Sequence, residues 1–144
     1  MMDGIKLVRV DFRLIHGQVI TKWSNTISAK EIVVVNDQLF KNEYMAEIYI
    51  MAAPPGMKVN VLPVKDFVDK AGSGAYDSGN VMVLFKNIKD ARDVVDLGIQ
   101  FKQVQIGGLG SGNGRTSVVK GISIDIEDVN NLTAIQESGA EVAF

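Results

Sequence analysis

The sequence predicts an α/β domain with a mostly parallel β-sheet and helices on both faces. Two observations indicate this class. Short runs rich in β-branched residues alternate with longer segments of helical spacing, as in right-handed βαβ units. Residues 31–37 (EIVVVND) are almost continuously apolar, which is typical of a strand buried on both faces. No linker, repeat or low-complexity segment divides the 144 residues, so we expect one domain, residues 1–144.

The first elements follow this alternation. Residues 5–10 (IKLVRV) predict a strand, and residues 31–37 predict the second one. Between them a 3.6-residue spacing predicts an amphipathic helix. Its apolar side is formed by Val19, Ile20, Trp23 and Ile27.

Residues 38–53 (QLFKNEYMAEIYIMAA) predict one long helix, which Pro54 and Pro55 end. We expect the side of this helix that carries the apolar stripe to pack into the core. The stripe consists of Tyr44, Ile48 and Met51.

The second half of the chain repeats the pattern. The predicted strands are residues 58–63, 80–85, 102–108 and 120–126, and residues 139–144 predict a last, short strand. The predicted helices are residues 64–71, 87–98 and 127–138. Two glycine-rich stretches, residues 72–79 and 109–116, predict loops.

Composition limits the function classes. The formal net charge of −2 provides no basic surface, so we expect no nucleic-acid partner. The chain has no cysteine, which excludes disulfides and thiolate chemistry and fits a reducing compartment. The N-terminus does not resemble a signal peptide, and no apolar run is long enough to span a membrane. We therefore expect a cytoplasmic protein, peripheral to any membrane process that it serves.

The only histidine, His16, lies in the connection between the first predicted strand and the following helix, in the stretch VDFRLIHGQV. Ligands of parallel sheets bind beyond the carboxyl ends of the strands, where this residue should lie. Backbone N–H groups of Gly17 and Gln18 can hold an anion at the helix start. The guanidinium groups of Arg9 and Arg13 suit phosphoryl oxygens, and Gly17 leaves room beside the imidazole.

A nucleophilic histidine has to be neutral. Arginine neighbours and a helix N-terminus disfavour the imidazolium form, whereas Asp11 favours it. As a hydrogen-bond acceptor, Asp11 could also fix the tautomer so that the other ring nitrogen attacks. The alternative is that His16 merely ends a loop and that Arg9, Asp11 and Arg13 are solvated charges.

Other constellations give weaker signals. The run IGGLGSGNGRT lacks the Lys and Ser/Thr of a P-loop, so it predicts either a mobile surface loop or a flap with Arg115 as an anion contact. No serine lies in a Gly-x-Ser-x-Gly elbow, which argues against a serine hydrolase. With one histidine and no cysteine we predict no metal site and no cofactor.

The stretch LVRVDFRLIHGQVITKW resembles the signature of the IIB components of the mannose/fructose/sorbose (and N-acetylgalactosamine) type of the bacterial sugar phosphotransferase system. Further stretches resemble the same family in the same order, so the resemblance covers nearly the whole chain. They are EIVVVND, AAPPGMKVNVLPV, VMVLFKN and VQIGG.

The resemblance implies a phosphocarrier. In that family a IIA component phosphorylates the histidine that corresponds to His16, on the ring nitrogen nearer the main chain. The phosphoryl group then passes to a hexose-type sugar bound by the membrane components IIC and IID. Arg9, Asp11 and Arg13 lie on the matching loop, and the family fold agrees with the predicted sheet. The identity of the sugar and the oligomeric state stay open, a homodimer included.

Two departures from the family pattern leave an alternative open. The family usually has Asp-Asp-Arg where this chain has Asp11, Phe12 and Arg13, and its members commonly extend beyond the final GAEVAF. The alternative function is a regulatory or binding paralogue of the same fold, which does not pass phosphate to sugar.

Overall fold

The computed structural model describes residues 2–144, apart from the side chains of Gln18 and Val19. In it the alternating strands form a six-stranded sheet of order β3-β2-β4-β1-β5-β8, and each of its pairings is parallel. The strands are β1 (Ile5–Asp11), β2 (Glu31–Val35), β3 (Lys58–Leu62), β4 (Val81–Phe85), β5 (Gln103–Gly108) and β8 (Glu141–Ala143). A separate antiparallel hairpin consists of β6 (Thr116–Val119) and β7 (Ile122–Ile124).

Helices cover both faces of this sheet, as the sequence predicts. They are α1 (Gly17–Thr26), α2 (Asp37–Lys41), α3 (Glu43–Met51), α4 (Val64–Gly72), α5 (Ile88–Asp96) and α6 (Ile126–Glu137). The first three contribute to one buried cluster, and the last three contribute to another on the opposite face. The prediction of a mostly parallel α/β fold is therefore confirmed.

The central strands are buried on both sides because their apolar residues alternate between the two clusters. In β2, Ile32 and Val34 pack under α1–α3, whereas Val33 and Val35 pack under α4–α6. All five residues of β4 are buried in the same alternating way. This two-sided burial explains why these strands appear in the sequence as continuous apolar runs.

One predicted helix is two helices. Asn42 ends α2 and begins α3, where its side-chain oxygen accepts a hydrogen bond from the Met45 amide at 3.1 Å. The prediction that the apolar stripe on α3 packs into the core is wrong, because Tyr44 and Met51 are 77% and 76% exposed. Ala46 is the buried residue of α3 instead, and Tyr49 packs against the same cluster.

The hairpin is the second departure. Residues 120–126 were predicted as a strand of the main sheet, but β7 pairs with β6, a strand that the sequence pattern did not indicate. All four residues of β6 are exposed, so they have no alternation between apolar and polar residues. The predicted final strand is present as β8, parallel to β5.

This topology places the first βα connection at a crevice. α1 follows β1 on one face, and α5 follows the neighbouring strand β4 on the other face. Neighbouring strands whose helices lie on opposite faces form a topological switch point, where ligands of such sheets bind. Within residues 2–144, none of the helices combines the length and the apolar character needed to cross a lipid bilayer.

Candidate functional site

The alternation of β1 brings two charged residues to the crevice. Val8 and Val10 point into the cluster beneath α4–α6, so Arg9 and Asp11 lie on the side of α1. Both are buried, with 6% and 0% of their surface exposed. Buried charges in a strand need partners, and the contacts of these two residues organise the site.

Asp11 is the centre of the site. Its Oδ1 accepts hydrogen bonds from the Arg13 amide at 3.1 Å and from Arg13 Nε at 3.2 Å. Its Oδ2 accepts from Arg13 Nη2 at 3.3 Å and from Arg9 Nη2 at 3.5 Å. One carboxylate thus holds two guanidinium groups, and the three side chains together carry a net positive charge.

Arg9 is held tightly but is not fully bonded. Its Nη1 donates to Gln105 Oε1 at 2.5 Å, and its guanidinium lies over the Trp23 ring, 5.8 Å from the centroid. Its Nε is buried and has no partner among the described residues. Burial lowers the pKa of the Arg9 guanidinium, and the Asp11 carboxylate partly offsets this effect.

Glycines on the neighbouring strand make room for these side chains. A Cβ at Gly107 would lie 2.1 Å from Arg9 Cζ, and a Cβ at Gly108 would lie 2.9 Å from Asp11 Oδ1. No side chain fits at such distances. The two glycines of β5 therefore form a floor on which the charged groups lie.

A tight turn carries the chain from β1 to the histidine. The Leu14 amide donates to the Asp11 carbonyl oxygen at 3.0 Å, and His16 follows in an extended conformation as the residue before α1. His16 Nδ1 lies 2.8 Å from the Leu14 carbonyl oxygen. Its Nε2 is buried and has no hydrogen-bond partner in the part of the chain that the structure describes; it lies 3.9 Å from Asp11 Oδ2, beyond hydrogen-bond range. Asp11 therefore does not accept a hydrogen bond from the imidazole, in contrast to the role suggested by the sequence.

The N-terminus of α1 is open beside the imidazole. The side chain of His16 does not cap the helix, and the first turn carries no acidic residue. Gly17 has φ +48°, a conformation that favours glycine, while a Cβ there would meet nothing within 4 Å. The positive φ, and not a lack of space, therefore explains why a glycine occupies this position. Gln18 was predicted as a phosphate contact, and its side chain lies outside the described residues.

Arg115 lies in a different cluster. Its Nε donates to the Gly110 carbonyl oxygen at 2.8 Å, and its Nη1 donates to Asp125 at 3.0 Å. Its Nη2 donates to the Ser123 carbonyl oxygen at 2.6 Å and to Asp128 at 2.7 Å. These contacts join the loop after β5 to the start of α6, so the geometry gives Arg115 a structural role and does not support the predicted anion contact.

Phe12 lies between the two clusters. Its ring is 42% exposed, and the Arg13 guanidinium lies 5.7 Å from its centroid. A Cβ at Gly110 would lie 3.7 Å from the same ring, in ordinary contact. The aromatic side chain therefore lies on the surface beside the site and close to Gly110, in the loop that Arg115 anchors.

Sequence reasoning missed Gln105, Trp23 and Leu14. Gln105 faces Arg9 because β1 and β5 are neighbours in register, and strand order is not visible in the sequence. The apolar spacing of α1 predicts Trp23 only as a core residue and gives no sign of its contact with Arg9. The one sequence signal for a role of Gln105 is its place as a polar residue between the apolar Val104 and Ile106.

The arrangement is chemically suited to binding an anion. Four groups converge at one edge of the sheet: an imidazole, two guanidinium groups and an uncapped helix N-terminus. The guanidinium groups and the helix N-terminus can donate hydrogen bonds to phosphoryl oxygens. Among the described residues, two buried side-chain polar atoms have no hydrogen-bond partner, and both belong to this site: Arg9 Nε and His16 Nε2. Unpaired buried polar groups are rare in folded proteins, so these two nitrogens are candidate contacts for a ligand.

Comparisons with known proteins identify the family. A family model described as the PTS system sorbose subfamily IIB component matches residues 5–144. The sorbose-specific EIIB component of Lacticaseibacillus casei is 36% identical over 138 residues, which are 96% of this chain and 84% of that protein. The mannose-specific EIIAB component of Escherichia coli K12 is 31% identical over 138 residues, which are 96% of this chain and 43% of that protein.

A solved structure has the same fold. The crystal structure of the IIBSor domain of the sorbose permease from Klebsiella pneumoniae matches with a TM-score of 0.91 and 35% sequence identity. The match covers 96% of this chain and 85% of that one.

Proposed function

The chain belongs to the sorbose subfamily of IIB components of the sugar phosphotransferase system, and we propose that His16 is its phosphorylated residue. In this proposal His16 accepts a phosphoryl group from a IIA component and passes it to a sugar. The sugar is held by the membrane components IIC and IID. The observation that carries the proposal is the pair of unpartnered buried nitrogens, Arg9 Nε and His16 Nε2, beside an open helix N-terminus.

The first step exchanges one P–N bond for another. A ring nitrogen of neutral His16 attacks the phosphorus of the IIA phosphohistidine, and the bond from phosphorus to the donor nitrogen breaks. Arg13 and Arg9 offset the charge on the transferring oxygens, together with the backbone amides at the start of α1. Arg13 is the more accessible of the two arginines, since its side chain is 46% exposed.

The second step forms a phosphate ester. A hydroxyl oxygen of the sugar attacks phosphorus, the bond to His16 breaks, and the hydroxyl proton is released. The sugar does not have to be recognised by this chain. The relatives described above carry sorbose and mannose in their names, so hexoses are the class to test.

The partner requirement has support from one relative. The Escherichia coli protein is named an EIIAB component, and this chain spans 43% of it. The name of this relative combines IIA and IIB, which supports a IIA component as the partner of this chain. The contact would be transient, because the same surface has to meet the IIA component and the membrane components in turn.

Intact-mass analysis after mixing with a phosphorylated IIA component tests the proposal. We expect an acid-labile gain of about 80 Da, one phosphoryl group, mapped to His16 and absent from His16→Ala. The variant should unfold at the same temperature as the natural protein, which shows that the loss is chemical. An absence of gain with a IIA component that phosphorylates another IIB component would contradict the proposal.

A further inference from the structure

Leu14 has an unusual backbone conformation directly before the histidine. Its φ is +56°, in the left-handed region that non-glycine residues rarely adopt. Within residues 2–144, Ser28 is the other non-glycine residue with positive φ, and it lies after the far end of α1. Strained residues persist only where their surroundings hold them, and they cluster at functional sites.

The surroundings of Leu14 hold this conformation. Its side chain is 1% exposed and belongs to the buried cluster that contains Ile20 of α1. Its amide is fixed by the Asp11 carbonyl oxygen at 3.0 Å. With both groups held, the carbonyl oxygen of Leu14 keeps one direction.

That direction leads to the imidazole. The Leu14 carbonyl oxygen lies 2.8 Å from His16 Nδ1, a full hydrogen bond. A carbonyl oxygen can only accept, so Nδ1 has to carry the proton. In the neutral ring the lone pair then lies on Nε2.

Neither nitrogen is ready to receive a phosphoryl group in this position. Nδ1 is protonated and bonded, whereas Nε2 has the lone pair but is buried, 3.9 Å from Asp11 Oδ2. The imidazole as a whole is partly exposed, with 21% of its side-chain surface accessible. One part of the ring therefore faces solvent.

We propose that Leu14 is a positioning residue that holds His16 as the Nδ1–H tautomer until transfer. The inference rests on the function proposed above, because it assigns a resting state to the same histidine. The family resemblance implies that Nδ1, the ring nitrogen nearer the main chain, receives the phosphoryl group, and for this the ring has to leave the Leu14 carbonyl oxygen. Nδ1 then gives up its proton and Nε2 takes one from solvent, so that the ring stays neutral and the lone pair moves to Nδ1.

Ring nitrogen NMR of the free protein tests the resting state. In ¹⁵N-labelled protein at a pH where the ring is neutral, we expect Nδ1 in the protonated range and Nε2 in the unprotonated range. A scalar coupling across the hydrogen bond should connect Nδ1 with the Leu14 carbonyl carbon. A neutral ring with its proton mainly on Nε2 would overturn the inference.

Substitutions at Leu14 separate backbone direction from packing. Leu14→Val keeps an apolar side chain but strongly disfavours positive φ, so the ratio of Nδ1–H to Nε2–H should fall about fivefold or more, the equivalent of one net hydrogen bond. Leu14→Gly adopts positive φ freely but loses the buried side chain, so the ratio should fall less than in Leu14→Val. Leu39→Val, in the same buried cluster, is the matched control and should keep the ratio.

An unchanged ratio in Leu14→Val, or an equal fall in Leu39→Val, would overturn the inference. If Leu14→Val does not fold, the coupling in the natural protein decides. No phosphoryl donor is present in these measurements, so their failure would leave the proposed function standing. Failure of the phosphorylation experiment would likewise leave the tautomer result intact.

Discussion

Two clusters of arginine and aspartate follow neighbouring strands of this sheet, and they are built in opposite ways. At the end of β1, one carboxylate, Asp11, serves two guanidinium groups. After β5, one guanidinium group, Arg115, serves two carboxylates and two carbonyl oxygens. In the first cluster, Arg9 Nε is buried and has no partner among the described residues. In the second cluster, Nε, Nη1 and Nη2 of Arg115 all donate.

The difference shows how a structural ion pair is distinguished from a binding site. An arginine whose donors are all used within the protein adds stability but has little to offer a ligand. In the proposed function, an arginine with spare donors beside His16 is available to bind the phosphoryl group. In the sequence the two kinds look alike, since each is an arginine near glycines at the end of a strand.

The largest effect is expected from Asp11→Asn. The change leaves the buried Arg9 without its counterion, so the free energy of unfolding should fall by about 3 kcal/mol. Phosphorylation by a IIA component should slow about a hundredfold, because both guanidinium groups lose their positions. Urea denaturation and the initial rate of phosphorylation measure the two effects.

The matched control for this change is Asp125→Asn in the other cluster. Asn is a good helix N-cap and Arg115 keeps Asp128, so we expect a loss of about 1 kcal/mol or less and an unchanged rate. Equal effects of the two substitutions on the rate would break the comparison.

A pair of glycines gives the next largest effect. Gly107→Ala would place a Cβ 2.1 Å from Arg9 Cζ, and the displaced guanidinium should slow phosphorylation by about tenfold or more. Gly112→Ala would place a Cβ 3.6 Å from Arg115 Cδ, an ordinary contact, and should leave the rate unchanged. Phosphorylation rates of the two folded variants provide the measurement, and a slow Gly112→Ala would argue that the second cluster takes part in transfer.

Arg115→Gln should separate stability from transfer. It removes the ion pairs to Asp125 and Asp128, and the side chain is 23% exposed, so the free energy of unfolding should fall by about 1–2 kcal/mol. The phosphorylation rate should stay within about twofold of the natural rate. A large loss of rate in a protein that stays folded would show that Arg115 contacts the phosphoryl group after all.

The smallest effect is expected from Phe12→Ala, at the border of the two clusters. The exposed ring contributes a cation–π contact with Arg13, so we expect a loss of about 0.5–1 kcal/mol in thermal unfolding. A comparison with Phe12→Asp, measured as KM for a phosphorylated IIA component, shows whether the ring acts in partner binding. A change in kcat at constant KM would instead place Phe12 in the transfer step.

The sequence predicts the scaffold better than the contacts. Continuous apolar runs predict β2 and β4 because both faces of these strands are buried. The exposed β6 has no such pattern, and the break at Asn42 depends on a side chain that caps its own helix. Periodicity could not reveal either feature.

The same limit applies to the site. Arg9, Asp11 and Arg13 lie within five residues of one another, and the local turn brings them to His16, so their proximity could be predicted. The partners of Arg115 lie on α6, after the hairpin, and only the folded chain brings them together. Gln105 likewise meets Arg9 only because β5 lies beside β1.

Arginine side-chain NMR before and after phosphorylation tests the central claim most directly. The Nε–H signals of Arg9, Arg13 and Arg115 would be recorded in the free protein and in the protein phosphorylated by a IIA component. Our account predicts that the signals of Arg9 and Arg13 move, while that of Arg115 stays in place. Movement of the Arg115 signal with Arg9 and Arg13 unchanged would contradict it.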